Sequence, residues 1–225
     1  MPELPEVETS VQAIQEFAGQ NIESIKINNP NLRWKLDSLA FSKLKKQRVK
    51  TIYRRAKYIL FKLEKNMVLI HLGMTGTLRI AEKSSNFYKK HDHIEFIFLK
   101  NKLIFNDPRR FGSMHIISDP NKHFLLKELG VEPLSKEFNE EYLFHRIKKS
   151  LSPIKTALMN QKHVVGIGNI YASEILFDAK IRPTRKSRTL TKKEMARITT
   201  SSKKILKKAI KAGGTTLQDF YQPNG

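Results

Sequence analysis

The stretch VKTIYRRAKYILFKLEKNMVLIHL, residues 49–72, decides the fold class. Val49–Arg54, Tyr58–Leu63 and Met67–Leu72 read as three short strands rich in β-branched and aromatic residues, with Lys65-Asn66 as a turn signal. The pattern continues outward. Ile22, Ile25 and Ile27 open a β-rich region upstream, and Thr77–Ile80, His93–Leu99, Lys102–Phe105 and Ser113–Ile117 follow downstream, with Lys100-Asn101 as another turn. Short strands on short connections predict a sandwich rather than an α/β repeat. Before them, Val7, Val11, Ile14 and Ala18 recur at helical spacing behind Pro5, whose fixed φ suits a first helical turn. From Lys122 onward the period changes to helical, over Lys122–Leu129, Glu140–Lys149, Ile154–Asn160, Asn169–Asp178 and Thr191–Ala212. Asn139 and Thr191 are the expected N-terminal caps and Gly213-Gly214 the stop. The class is therefore α+β: a β-sandwich domain with a leading α-helix over residues 1–132, then a helical domain over 133–225, joined near Glu132–Phe138 where Pro133 and Ser135 mark a connection. A cleft between the domains is the expected ligand site.

Charge narrows the partner. Forty-two Lys and Arg against 21 Asp and Glu leave a formal charge of +21, far beyond what solubility requires, and a polyanion is the natural counterpart. Residues 180–211 concentrate it, with thirteen basic residues against the single acidic Glu194, so internal ion pairing cannot absorb the excess and phosphate contact is favoured over a merely solvated face. No long apolar run and no apolar leader favours a membrane, and the absence of cysteine fits a reducing compartment, so the reading is a cytoplasmic protein.

The first ten residues, MPELPEVETS, carry the chemistry. A small residue after the initiator methionine permits its removal, which would leave Pro2 with a free secondary amine. An α-amino group titrates at roughly 7.7–8.0, so near neutrality part of it is uncharged and nucleophilic. Glu3 and Glu6 stand beside it as candidate proton carriers at a helix N-terminus; the plainer reading is that Glu3, Glu6 and Glu8 only complement the helix dipole.

Further along, Gly166-Ile-Gly168-Asn169 precedes a helical segment, a place where free N–H groups can hold a phosphate, or else an ordinary interhelical turn. Tyr171 in the third glycine's place excludes a dinucleotide fingerprint. Asp107-Pro-Arg-Arg-Phe-Gly112 joins two guanidiniums and a ring on a loop: a wedge, with Phe111 entering a base step and Arg109 bonding the orphaned partner, or a core Phe111 with Arg110 paired to Asp107. Lys57 reads by itself as a solvated lysine at the start of an edge strand. His91-Asp92-His93 could suggest a metal, but no further ligand is near and metal is rejected. HExxH, Walker A and GxSxG motifs are absent.

MPELPEVE at the chain start, R54-R-A-K-Y58, H71-L-G-M-T-G76, K90-H-D-H93, D107-P-R-R-F-G112 and V165-G-I-G-N-I-Y-A-S-E174 together resemble, in order, the blocks of the formamidopyrimidine-DNA glycosylase family. The resemblance implies a bifunctional base-excision repair enzyme, a monomer near the bacterial nucleoid, acting on duplex DNA that carries oxidised purines such as 8-oxoguanine, or abasic sites. It implies a helix-two-turn-helix element in the helical domain, where Asn169 and neighbouring amides grip the DNA backbone and Lys149 and Lys155 add phosphate or lesion contacts. Met74, Arg109 and Phe111 become the void-filling residues, His71 and His91 DNA contacts, and Lys57 the residue at the lesion phosphate that assists elimination. Pro2 is the nucleophile, Glu3 the acid/base, and Glu6 orients a water or stabilises positive charge. Asn160 stands where the family usually has Asp. Leu4 favours this purine branch over the related endonuclease VIII, which tends to carry glycine there.

Family members continue past the GGTTLQDF-like block into a four-cysteine zinc finger that supplies an arginine, whereas this sequence stops at Gly225 without cysteine. No cofactor is expected in this chain, and a structural zinc ion only with that finger. If the truncation is real, weak binding and impaired base removal are expected, with lyase chemistry surviving on abasic DNA. The segment Gly214–Gly225 matches the start of the loop that covers the flipped base. The alternatives are that truncated, lyase-only form and a non-catalytic basic nucleic-acid-binding protein.

Overall fold

The computed structural model describes residues 1–214; the lesion-loop segment after Gly214 lies outside them. Two compact units divide the described chain, residues 1–2 with 6–120 and residues 3–5 with 121–214. The changeover after Pro120 comes earlier than the Glu132–Phe138 connection read from the sequence.

The first unit holds most of helix α1 (Leu4–Ala13), strand β1 (Ser24–Ile27), a short helix α2 (Ser38–Ser42), and strands β2 (Val49–Arg55), β3 (Tyr58–Leu63), β4 (Met67–His71), β5 (Thr77–Glu82), β6 (Asp92–Ile97), β7 (Asn101–Asn106) and β8 (Ser113–Ile117). They form two antiparallel four-stranded sheets, ordered β1-β6-β7-β5 and β2-β3-β4-β8. The β-branched and aromatic residues that marked residues 49–72 build the inner face: Ile59, Phe61 and Leu63 of β3 are buried with Val68 and Ile70 of β4. Phe61 stacks on Phe96 of β6 with centroids 6.3 Å apart, so one core joins both sheets. Val7 and Val11 of α1 and Ile14 just after it enter the same core, and each such side chain contributes roughly 1.5–3 kcal/mol of burial. Helix α2 is too short to show a helical period and was not foreseen; Asp37 caps it by accepting from Ala40 N at 3.0 Å.

The second unit packs α3 (Glu140–Ile147), α4 (Ile154–Met159), α5 (Asn169–Asp178) and α6 (Lys192–Lys211) around buried Tyr171, Ile175, Met195 and Ile198. The expected caps are present. Asn139 accepts from Tyr142 N at 2.9 Å, and Thr191 forms a reciprocal capping box with Glu194. Gly213 and Gly214 take positive φ after α6. Helix α4, the turns at residues 160–168 and α5 make the helix-two-turn-helix element. Asn160, where the family usually has Asp, still caps the first turn by accepting from Lys162 N at 3.0 Å, since only its oxygen is needed.

One expected helix is absent: residues 122–129 form successive turns. Only Leu126 there is buried while Phe124 is exposed, so no apolar face pays to propagate a helix. Among the described residues no helix is long and apolar enough to cross a membrane.

Candidate active site

At the start of the chain, Pro2 is buried with Met1 attached. Met1 itself is exposed and lines an open hollow of about 500 Å³, together with Arg33, His71, Gly73, Arg109, Arg110 and Phe111. Removing Met1 would bare the Pro2 nitrogen toward that hollow. Its lining is cationic and aromatic and includes no carboxylate. Glu6 is fully buried in the same unit.

Glu3 belongs to the helical unit. Its carboxylate accepts from the backbone amides of Gly168 at 2.6 Å, Ile170 at 2.9 Å and Tyr171 at 3.3 Å, and Leu4 N donates to Gly166 O at 2.9 Å. These are the orphan donors at the start of α5. The phosphate cradle read for them in the sequence is thereby corrected: these three amides are committed to a carboxylate inside the protein. Asn169 remains exposed on the first turn of α5, Lys149 is exposed and Lys155 half-buried.

Lys57 is neither solvated nor in a strand. It is 7% exposed, in the two-residue turn between β2 and β3, where Ala56 adopts φ +54°. A non-glycine residue there costs roughly 1–2 kcal/mol. The turn is held by Arg54, whose Nη1 donates to Ala56 O at 3.0 Å while its Nε donates to Glu8 of α1 at 2.8 Å.

His71 ends β4. Gly73 N donates to its Nδ1 at 3.1 Å, which leaves Nε2 to carry the proton of the neutral ring. Burial pushes its pKa down to about 4, with the positive charges of Lys57 and Arg33 acting the same way. The ring is thus a hydrogen-bond donor without a charge near neutrality.

Met74, Arg109 and Phe111 stand on two loops that Asp107 ties together. Thr75 Oγ1 donates to Asp107 Oδ1 at 2.6 Å and Gly112 N to Oδ2 at 2.7 Å, while Arg109 N donates to Thr75 Oγ1 at 3.3 Å. The loops approach so closely at Gly73, φ +66°, that a Cβ there would lie 2.4 Å from Gly112 N. Phe111 is 46% exposed with the Arg109 guanidinium 4.7 Å over its ring, and Met74 is 39% exposed. Phe111 is therefore not core, and Asp107 spends its oxygens on the loops rather than on Arg110. His91 joins this end of the unit through its carbonyl, which accepts from Asp107 N at 3.1 Å, and buried His93 Nε2 bonds Asp107 O at 2.7 Å.

No group of three His, Cys, Asp or Glu among the described residues could hold a metal ion, and without cysteine the sequence supplies no thiolate set for a zinc finger. Arg33 is the residue that sequence reasoning missed: exposed, its N bonded to Gly112 O at 3.1 Å and its guanidinium 4.8 Å over the Trp34 ring, it lines the hollow. The only signal was an Arg-Trp pair in a segment with no period.

Comparison with known proteins agrees along the whole length. A family model of the formamidopyrimidine-DNA glycosylase N-terminal domain matches residues 1–114, and one of the H2TH domain of the same glycosylase matches residues 129–221. Formamidopyrimidine-DNA glycosylase of Hydrogenovibrio crunogenus is 46% identical over all of this chain and 81% of its own length, and that of Legionella pneumophila 45% identical over all of this chain and 83% of its own. The Lactococcus lactis enzyme (mutant G226P) in complex with DNA containing Fapy-dG superposes with a TM-score of 0.90 at 34% identity, covering 100% of this chain and 84% of that one. The same enzyme bound non-covalently to DNA containing an AP site gives 0.87 at 35%, covering 95% and 83%.

Proposed function

The chain belongs to the formamidopyrimidine-DNA glycosylase family and is a DNA glycosylase with abasic-site lyase activity on lesion-containing duplex DNA; we propose that Pro2, once Met1 is removed, is the nucleophile. The observation that carries this reading is Met1 on the wall of a hollow lined by Arg33, His71, Arg109 and Phe111, cationic and aromatic groups suited to a nucleotide turned out of the stack.

In the reaction, the Pro2 nitrogen bonds to the sugar C1′ as the bond to the damaged base breaks, and the base departs with a proton. The nitrogen loses its own proton, and its lone pair opens the sugar ring to an iminium. That cation acidifies the C2′ hydrogen; its removal expels the 3′ phosphate, and a second elimination expels the 5′ phosphate. Glu3 serves as acid/base, fixed by three amides so that its position cannot wander. Glu6 orients a water or stabilises the developing positive charge, and Lys57 assists elimination from its rigid turn. Met74, Arg109 and Phe111 fill the space the nucleotide leaves, His71 donates uncharged from Nε2, and His91, Arg33, Asn169, Lys149 and Lys155 take phosphates. The substrate class is oxidised purine, 8-oxoguanine included. This chemistry draws on no cofactor, and a zinc ion enters only with a cysteine finger. A cytoplasmic setting at the bacterial nucleoid follows from the substrate.

Borohydride trapping tests it. The purified chain, its Met1 removal checked by mass spectrometry, is incubated with 8-oxoguanine or abasic duplex beside Pro2→Gly. The expected result is a covalent adduct mapped to the N-terminus and lost in the variant. An adduct that persists at full yield in Pro2→Gly, or none with wild type on either duplex, overturns the assignment.

A further inference from the structure

The segment between β5 and β6, Lys83-Ser-Ser-Asn-Phe-Tyr-Lys-Lys90, has no part in the chemistry above, yet it is built rather than loose. Its start is fixed by Lys83 N donating to Lys100 O at 2.9 Å, and its middle by Lys102 Nζ donating to Ser85 O at 2.9 Å. Its end is fixed by Lys89 N donating to Asp92 Oδ2 at 2.9 Å. Buried Asp92 also takes Arg79 at 2.6 Å and Asn106 Nδ2 at 2.8 Å.

The registers say where this strap runs. Glu82 pairs with Asn101, while Thr77 and Asp92 both pair with Asn106. The strap therefore leaves one end of the sheet, passes along the outer strand β5, and arrives at the end from which the Met74 and Arg109–Phe111 loops project. Along the way Phe87 lies 5.7 Å from the Arg79 guanidinium, and it and Tyr88 are 62% and 53% exposed. Two adjacent exposed rings followed by two exposed lysines, next to His91, have no role in the core.

Resting on the glycosylase reading, we propose that this strap is a second DNA contact, which holds the duplex flank to one side of the lesion. Lys89, Lys90 and the Tyr88 hydroxyl donate to phosphates, and the rings of Phe87 and Tyr88 cover deoxyribose faces. The charge complementarity is direct: four exposed side chains, two of them cationic and none acidic, meet a polyanion at the edge of the surface that fills the lesion void. Such contacts position the duplex and read no sequence.

Binding of the full chain to duplexes carrying a tetrahydrofuran abasic analogue, followed by anisotropy over a series of salt concentrations, tests this. Phe87→Ala/Tyr88→Ala and Lys89→Ala/Lys90→Ala are compared with wild type on a long duplex and on duplexes shortened stepwise on either side. Both variants are expected to bind the long duplex at least about fivefold more weakly, and the lysine pair to lower the slope of log K against log salt by about 1–2. Shortening one flank, and not the other, abolishes the difference. Unchanged affinity of either variant on the long duplex, or a difference indifferent to flank length, overturns the proposal. Wild-type borohydride trapping run alongside separates the two readings: trapping with no flank effect sinks the strap alone, and failure to trap sinks the glycosylase assignment beneath it.

Discussion

His71 is a histidine that the fold keeps uncharged. Half-buried and facing the positive charges of Lys57 and Arg33, with Gly73 N occupying Nδ1, it takes up a proton only near pH 4, whereas the unfolded chain takes one up at the ordinary 6.5. Because the folded pKa lies below the unfolded one, its contribution to stability is complete above about pH 6.5 and is lost as the pH falls from there toward 4. At 1.36 kcal/mol per pKa unit, about 2 kcal/mol disappears between pH 7 and pH 5. His71→Asn cannot titrate, so the stability gap between wild type and variant, measured by urea unfolding, is expected to shift by about that amount in the variant's favour on acidification. A gap that stays constant with pH would show that the ring is not held neutral.

Arg54 acts on the scale of an element. Its guanidinium, nearly buried, bonds Glu8 of α1 on one side and the Ala56 carbonyl on the other, so one planar fork fixes the β2–β3 turn that carries Lys57 against the helix. Lysine keeps the charge and loses the fork. Arg54→Lys is expected to cost about 1–2 kcal/mol in stability and to slow single-turnover strand cleavage at a preformed abasic site by about tenfold or more, through displaced Lys57, with DNA affinity within about twofold of wild type. Equal cleavage rates at saturating enzyme would leave Arg54 a purely structural residue. Elements of this size were partly legible in advance. The strands of residues 49–72 announced themselves because β-branched runs and turn residues are local signals, as are the Asn139 and Thr191 caps. The turns at 122–129 misled, because Leu125, Leu126 and Leu129 mimic a helical stripe of which only Leu126 is buried. Lys57 was misplaced by a single residue of turn, which decides between a solvated strand and a buried site.

At the scale of the whole molecule the chain is interleaved: residues 3–5 complete the helical unit although residues 6–120 intervene. No local pattern could disclose this, since Glu3 and the amides it serves are 165 to 168 residues apart. The sequence reading gave Glu3 a proton and the Gly166–Asn169 turn a phosphate; the fold joins the two, so that the carboxylate proposed as acid/base is also the cap of α5. Gly168 is the price of that closeness, since a Cβ there would lie 2.5 Å from Glu3 Cδ, while its φ of −124° is open to any residue. Loss of the carboxylate in Glu3→Ala leaves three donors to water or to nothing, at about 1–3 kcal/mol for each that stays buried. Hydrogen exchange of the full chain is therefore expected to accelerate selectively at residues 168–171, with strands β2–β4 unchanged. Gly168→Ala, which pushes the carboxylate away without removing it, is expected to give the same exchange pattern and to depress base removal far more than affinity for abasic duplex. Protection at 168–171 that survives both substitutions would mean that the amides have another partner, and the dual role of Glu3 would fall with it.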